Sequence, residues 1–131
     1  MNHDTKKLHL YNQPHREDGP AVERADGSTE WYLNGQLHRK DGPAVEIPLT
    51  YKAWYLNGVR HRENGPAIIR HQISDDNSFV WIHGYRAWYI NGHRHREDGP
   101  AIEYGDGTQE WYYHGKKIKA TTQTEFEAAI K

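Results

Sequence analysis

The chain has 131 residues, of which 17 are Lys or Arg and 18 are Asp or Glu, so its formal net charge at pH 7 is −1. This balance argues against a strong nonspecific hold on nucleic acid or on an anionic membrane. The lack of cysteine excludes a disulfide framework and a thiolate zinc site. No apolar run of membrane length and no signal-peptide pattern is found, which predicts a cytoplasmic protein.

Two short phrases recur along the chain with a period of 23 residues. The first is Trp-Tyr-Leu-Asn-Gly at 31–35 and 54–58, Trp-Tyr-Ile-Asn-Gly at 88–92 and Trp-Tyr-Tyr-His-Gly at 111–115. The second begins with His-Arg and ends with Gly-Pro-Ala, at 15–21, 38–44, 61–67 and 95–101. One interval in each series is 34 residues, because 11 residues are inserted. Such a period predicts stacked supersecondary units in a single repeat domain spanning residues 1–131.

The first predicted element is a half repeat at the N-terminus. Leu8 to Tyr11 occupy the same repeat positions as Trp31 to Asn34 and keep their alternation. Residues 8–30 therefore comprise a cap over the first sheet edge and the first unit.

The units that follow, over residues 31–119, are predicted β-hairpins. Turn pairs such as Asp26-Gly27 and Asn34-Gly35 lie eight residues apart, a spacing typical of hairpins. Alternation puts Trp31 on one face of its strand and Tyr32 on the other. The predicted core positions are Trp31, Trp54, Trp88, Trp111, Leu33, Leu56, Ile90, Tyr113, Val22, Val45, Ile68 and Ile102.

The insertion, at about residues 72–82, predicts one longer hairpin with a polar tip at 75–77. About five extra residues in each arm, at roughly 3.3 Å each, would extend it some 15 Å beyond its neighbours. Phe79 and Trp81 lie in its second arm. The hairpin either projects as a binding surface or folds back over the sheet, and both alternatives stay open.

The last predicted element is a short capping helix within residues 120–131. Thr122 with Glu125 three residues later forms a capping-box pattern, and Phe126, Ala129 and Ile130 recur at helical spacing.

Taken together, the repeat resembles the MORN repeat, and in particular the divergent MORN-variant repeats of bacterial and bacteriophage proteins. The resemblance rests on the aromatic before Asn-Gly, the His three residues after that Gly, and the later Asp-Gly turn, and it covers about residues 8–119. The family usually has a glycine after the His, where this chain has Arg16, Arg39, Arg62 and Arg96. The resemblance implies a mostly β fold, an elongated single-layer antiparallel sheet of stacked 23-residue hairpins.

Histidine is the first candidate for chemistry, because His15, His38, His61 and His95 recur at one repeat position. Equivalent residues in successive hairpins lie roughly 9.6 Å apart, whereas metal ligands bind at about 2 Å. His93 with His95 could hold one ion, but no third ligand is apparent. We therefore predict no metal and no cofactor.

The His-Arg-x-Asp-Gly-Pro phrase has a structural and a functional interpretation. In the first, the Asp accepts backbone hydrogen bonds, the Gly takes positive φ, and the Arg pairs with a neighbouring carboxylate such as Glu17, Glu63 or Glu97. In the second, the arginines line an edge that holds phosphate or carboxylate by bidentate bonds.

The tyrosines alternate with the tryptophans and so fall on the more polar face. A row of partly exposed Tyr beside Arg and His has the composition of a protein-binding surface, although the long hairpin or a second copy of the chain could cover it. The predicted binding residues are Tyr32, Tyr55, Tyr89, Tyr112, Arg39, Arg62, Arg96, His61, His95, Phe79 and Trp81.

No set of residues in the sequence forms a recognisable catalytic group, which predicts that the chain is not an enzyme. The leading hypothesis is a protein-binding module whose partner is a bacterial protein. Analogy with MORN-variant proteins suggests an inhibitor of a toxin or of a defence protein. The alternatives are a small-molecule binder that sequesters a nucleotide signal, possible also across a homo-oligomer interface, and a structural assembly module.

Overall fold

The computed structural model describes residues 5–10, 12–73 and 79–131. The fold is mostly β, as predicted, with one ten-stranded antiparallel sheet and a short C-terminal helix. The strands are β1 Lys6–Lys7, β2 His9–Leu10, β3 Gln13–Pro14, β4 Val22–Glu23, β5 Thr29–Glu30, β6 Tyr32–Leu33, β7 Gln36–Leu37, β8 Val45–Ile47, β9 Tyr51–Ala53, β10 Tyr55–Leu56, β11 Val59–Arg60, β12 Ile68–Ile73, β13 Phe79–Ala87, β14 Tyr89–Ile90, β15 His93–Arg94, β16 Ile102–Tyr104, β17 Gln109–Tyr113 and β18 Lys116–Ile118. The helix is α1 Gln123–Ala129.

The long sheet follows the chain, in the order β1-β4-β5-β8-β9-β12-β13-β16-β17-β18. Four short hairpins, β2–β3, β6–β7, β10–β11 and β14–β15, lie beside it. Each is separated from the preceding strand of the long sheet by the repeat position of Trp31, which is Leu8 in the N-terminal half repeat. Each repeat therefore contributes one hairpin to the long sheet and one to the row of short hairpins.

Three of the four short hairpins, β6–β7, β10–β11 and β14–β15, turn at the Asn-Gly pairs that the sequence identified. Asn34 has φ of 52° and Gly35 has φ of 81°. Two successive positive φ values are typical of a type I′ turn, whose twist matches that of the paired strands. Backbone hydrogen bonds join neighbouring hairpins, for example from Gly35 N to Pro14 O at 3.0 Å and from Gly58 N to Leu37 O at 2.9 Å.

The most buried residues are alanines, so the predicted tryptophan core is only partly right. Ala44, Ala67 and Ala101 are fully buried, because each lies where neighbouring strands exchange backbone hydrogen bonds. Of the four tryptophans predicted for the core, only Trp111 is buried, and the other three are half-buried. A thin sheet covers a methyl group with its own strands, but it leaves one side of an indole ring to other side chains.

The predicted C-terminal helix follows the last strand of the sheet, and at the N-terminal end the half repeat joins the sheet by a hydrogen bond that recurs in the later repeats. At the N-terminus, Leu8 N donates to Ala21 O, the same bond that Trp31 N makes to Ala44 O one repeat later. At the C-terminus, the Thr122 hydroxyl accepts from Glu125 N. The Glu125 carboxylate accepts from Thr121 N, one residue earlier than a standard capping box. These bonds hold the Glu125 pKa below its usual value.

The insertion lengthens one hairpin, as predicted, and forms the two longest strands, β12 and β13. Their pairing shifts register between Arg70 and Gln72. The predicted polar tip at 75–77 and the side chains of Phe79 and Trp81 lie outside the described residues. None of the described segments forms a helix of the length and apolarity needed to cross a membrane.

Candidate binding surface

Three grooves follow one another along one side of the sheet, each between two consecutive His-Arg phrases. Their volumes are about 500, 480 and 870 Å³. Each is lined by the first and third residues of a Trp-Tyr-Leu phrase and by the His and Arg that follow. We call this side the groove face; it comprises Trp31, Leu33, His38, Arg39, Trp54, Leu56, His61, Arg62, Trp88, Ile90, His95 and Arg96.

Each of these arginines lies over a tryptophan. The Arg39 Cζ atom is 3.9 Å from the Trp31 ring centroid, and the other two distances, Arg62 to Trp54 and Arg96 to Trp88, are 3.9 and 3.8 Å. Such cation–π contacts fix the guanidinium and cover one side of the half-buried indole. The arginine side chains thus cover part of each indole that the sheet itself does not bury.

The glycine of the Asp-Gly-Pro turn also lies close to the guanidinium. A Cβ atom built on Gly42 would lie 2.8 Å from Arg39 Cζ, and one on Gly99 would lie 2.6 Å from Arg96 Cζ. The expected positive φ is wrong for these glycines, because among the glycines of the described residues it occurs only at the other turns. Glycine is needed here because it lets the arginine approach the backbone.

Arg16, Arg39 and Arg96 each pair with a neighbouring carboxylate, as expected, but it is the Asp two residues later and not the suggested Glu17, Glu63 or Glu97. Arg16 Nε donates to Asp18 at 2.8 Å, and the corresponding bond from Arg39 to Asp41 is 3.1 Å. Arg96 repeats this bond at 2.9 Å. Nη1 of each arginine also donates to the proline carbonyl of its phrase. The expected backbone hydrogen bonds to Asp instead form at the other turns, as at Ser28 N to Asp26.

Arg62 is the exception in this series. Asn64 replaces the Asp, and among the described residues no carboxylate pairs with the Arg62 guanidinium. Burial lowers the pKa of Arg62. The hydrogen bond to Asp18, in contrast, raises the pKa of Arg16 above its ordinary value, against a smaller effect of burial.

The histidines of the phrase link one repeat to the next. Nδ1 of His15, His38 and His61 accepts from a backbone N–H of the following short hairpin, each time at 2.9 Å. His95 does the same with His114 N at 2.8 Å, while its Nε2 lies 3.1 Å from Glu97. An accepting Nδ1 requires the neutral ring with its proton on Nε2. These histidines therefore have a structural role.

The same hydrogen bonds engage one of the two histidines, His93 and His95, that the sequence suggests as a metal site. His93 is exposed in β15, whereas His95 is buried just beyond it with both ring nitrogens engaged. No cluster of three candidate metal ligands occurs within residues 5–10, 12–73 and 79–131.

Tyr32, Tyr55, Tyr89 and Tyr112, here called the tyrosine row, do not line the three grooves. Because they alternate with the groove residues along each strand, they face the other side. The prediction that Tyr, Arg and His share one face is therefore wrong, because the tyrosines lie on the side opposite the arginines and histidines. Three of the row's hydroxyls accept hydrogen bonds from two arginines: Tyr55 from Arg60, Tyr89 from Arg94 and Tyr112 from Arg94.

Arg60 and Arg94 were missed as candidate residues. Each is the cross-strand partner of a tyrosine in its hairpin, Arg60 of Tyr55 and Arg94 of Tyr89. Each also lies over the ring of the next tyrosine, at 5.4 and 5.2 Å. The register of the Asn-Gly hairpins would have revealed both, since residues opposite one another share a face.

No family model matches the chain, and no curated protein and no solved structure matches it.

Proposed function

We propose that the chain is a non-enzymatic module that binds another protein on its groove face. The observation that carries the proposal is the repetition of one arrangement, an arginine held over a half-exposed tryptophan, in three consecutive grooves. Trp, Tyr and Arg are the residue types that contribute most to protein–protein binding energy. Their regular placement suits an extended partner surface.

The rigidity of these side chains also favours binding. Arg39 and Arg96 are each held by a tryptophan ring, a proline carbonyl and an Asp carboxylate. Because the guanidinium groups are ordered before the partner arrives, less side-chain entropy is lost on association. Successive grooves repeat at roughly two strand spacings, about 9.6 Å, so one partner can contact several of them.

The proposed partner is a bacterial protein, with a toxin or a defence protein as the first candidate. This part of the proposal rests on the resemblance to MORN-variant repeats. The tyrosine row faces the other side of the sheet, so it would serve a second contact surface rather than the groove face.

Native mass spectrometry of the protein recovered gently from a bacterial lysate tests the proposal. We expect a stoichiometric protein adduct on the wild-type chain. Lys40→Glu reverses an exposed charge that lines two grooves and should remove the adduct. Lys52→Glu makes the same change at an exposed position of β9, outside the three grooves, and should keep it.

Two results contradict this assignment. An adduct that survives Lys40→Glu and is lost with Lys52→Glu would place the partner elsewhere on the sheet. A mass increase of only a few hundred daltons, with no protein adduct, would support the nucleotide-binding alternative instead.

A further inference from the structure

We propose that Arg62 binds an acidic side chain, Asp or Glu, of the protein partner. This inference rests on the proposed function, because it assigns the chemistry of one contact on the groove face. The three equivalent arginines, Arg16, Arg39 and Arg96, show what this position binds when the chain itself supplies a carboxylate.

In those three phrases an Asp oxygen lies 2.8 to 3.1 Å from Nε of the arginine. Arg62 has the same placement as Arg39 and Arg96, with its Cζ 3.9 Å from the Trp54 ring and Nη1 3.1 Å from Pro66 O. Its Nε donor makes no hydrogen bond within the described residues. A carboxylate from outside can therefore take the position that Asp takes in the other phrases.

A second carboxylate is missing as well. Seven residues after the arginine, Glu23 bonds Arg16 at 3.4 Å and Glu103 bonds Arg96 at 3.0 Å. At the corresponding position after Arg62 the chain has Ile69. With Asn64 and Ile69 at these two positions, the Arg62 guanidinium is charged and partly buried, and it has no anionic partner among the described residues. Such a charge is costly unless a ligand supplies the negative charge.

The charges around Arg62 fit a single negative charge. The groove between the second and third phrases has three cations, Arg39, Lys40 and Arg62, against two carboxylates, Asp41 and Glu63, with His61 neutral.

The two neighbouring grooves do not share this excess. The first has three of each sign, and the third has two cations against three carboxylates. The middle groove therefore carries a net charge of one positive unit, which a carboxylate neutralises and a phosphate dianion would exceed. An Arg–carboxylate pair also allows two parallel hydrogen bonds.

The test follows the side-chain Nε–H signals of the arginines by NMR during titration with sodium acetate, using sodium chloride at equal ionic strength as the reference. We expect acetate to shift the Arg62 signal in a saturable manner while the Arg16, Arg39 and Arg96 signals stay near their chloride values. Asn64→Asp supplies an internal carboxylate without removing Arg62. It should abolish the acetate response and raise the melting temperature.

Asp41→Asn is the matched control, because it removes the carboxylate of Arg39. This variant should give Arg39 an acetate response like that of Arg62. The proposal is overturned if Arg62 responds no more than the other arginines, or if Asn64→Asp leaves its response unchanged. Saturation by phosphate at a lower concentration than by acetate would also overturn it, since the site would then prefer phosphate.

The titration uses no partner, so its result is separable from the proposed function. A specific acetate response together with no protein adduct on the wild-type chain would count against protein binding and keep the carboxylate site. An adduct that persists with Asn64→Asp would keep protein binding and reject Arg62 as its acidic contact.

Discussion

The two ends of the sheet are built from the same repeat and are covered very differently. At the C-terminal end Trp111 is 4% exposed beneath Phe126, which is 0% exposed and has its ring centre 5.2 Å from that of Trp111. At the N-terminal end Leu8 and Leu10 are 45% and 42% exposed. A repeat position is therefore only as buried as its neighbour makes it, as expected for units that contact one another in a line.

The largest effect should come from removing the cover of the closed end. Phe126→Ala is expected to lower the free energy of unfolding by about 3–5 kcal/mol, because it opens a cavity against Trp111. Leu10→Ala, at the open end, should cost less than about 1 kcal/mol. Urea denaturation of both variants measures the difference, and equal losses would mean that α1 is not an energetic cap.

The next comparison uses the glycine that faces the arginine. Gly99→Ala should cost about 1–3 kcal/mol, since the added Cβ forces Arg96 away from Trp88. Gly19→Ala should cost less, because the tryptophan position of that repeat is Leu8 and Arg16 can shift without losing an aromatic contact. Thermal and urea unfolding report both losses. A larger loss for Gly19→Ala would refute this account of the glycine.

The histidine link should also differ between the ends. His95 is buried, and its ring stacks on His114 at 4.2 Å between centroids. His95→Ala is therefore expected to cost about 1–2 kcal/mol, whereas His15→Ala, which removes an exposed hydrogen bond, should cost about half as much or less. Hydrogen exchange at the amides of Asn34 and His114 gives a local readout of the lost acceptor in each variant.

The smallest effect concerns the middle of the sheet, which serves as a reference for both ends. Burial, together with the charges of Lys52 and Arg86, lowers the pKa of His71. The unfolded chain therefore binds this proton more readily, and stability is lost as the pH falls through the unfolded value of about 6.5. His71→Gln should reduce the acid-induced loss seen in melting curves between pH 7.5 and 5.5. An unchanged pH dependence would show that His71 does not contribute.

The repeats explain why most of the fold could be predicted. Asn34-Gly35 and its equivalents select the hairpin turn by local backbone geometry alone, and the capping pattern around Thr122 does the same for the helix. The period then aligns the units without any long-range information.

The candidate surface was harder to predict because its contacts lie above the strands. Alternation assigns Trp54 and Tyr55 to opposite faces, but it does not show that Arg62 covers the indole or that Arg60 bonds the tyrosine. For the same reason the predicted positive φ of Gly42 is wrong. This glycine is needed because the Arg39 side chain approaches it closely, and a turn pattern does not reveal a contact with a side chain. The binding role of the predicted residues stays a prediction.

The histidine links close chain segments of different lengths, and this difference affects the order in which the repeats assemble. Each joins residues 19 apart, except the one across the insertion, from His61 to Asn91, which joins residues 30 apart. Closing the longer loop costs about 0.4 kcal/mol more in chain entropy. We therefore expect the repeats before and after the insertion to assemble as two blocks, with their junction forming last on refolding and opening first under tension.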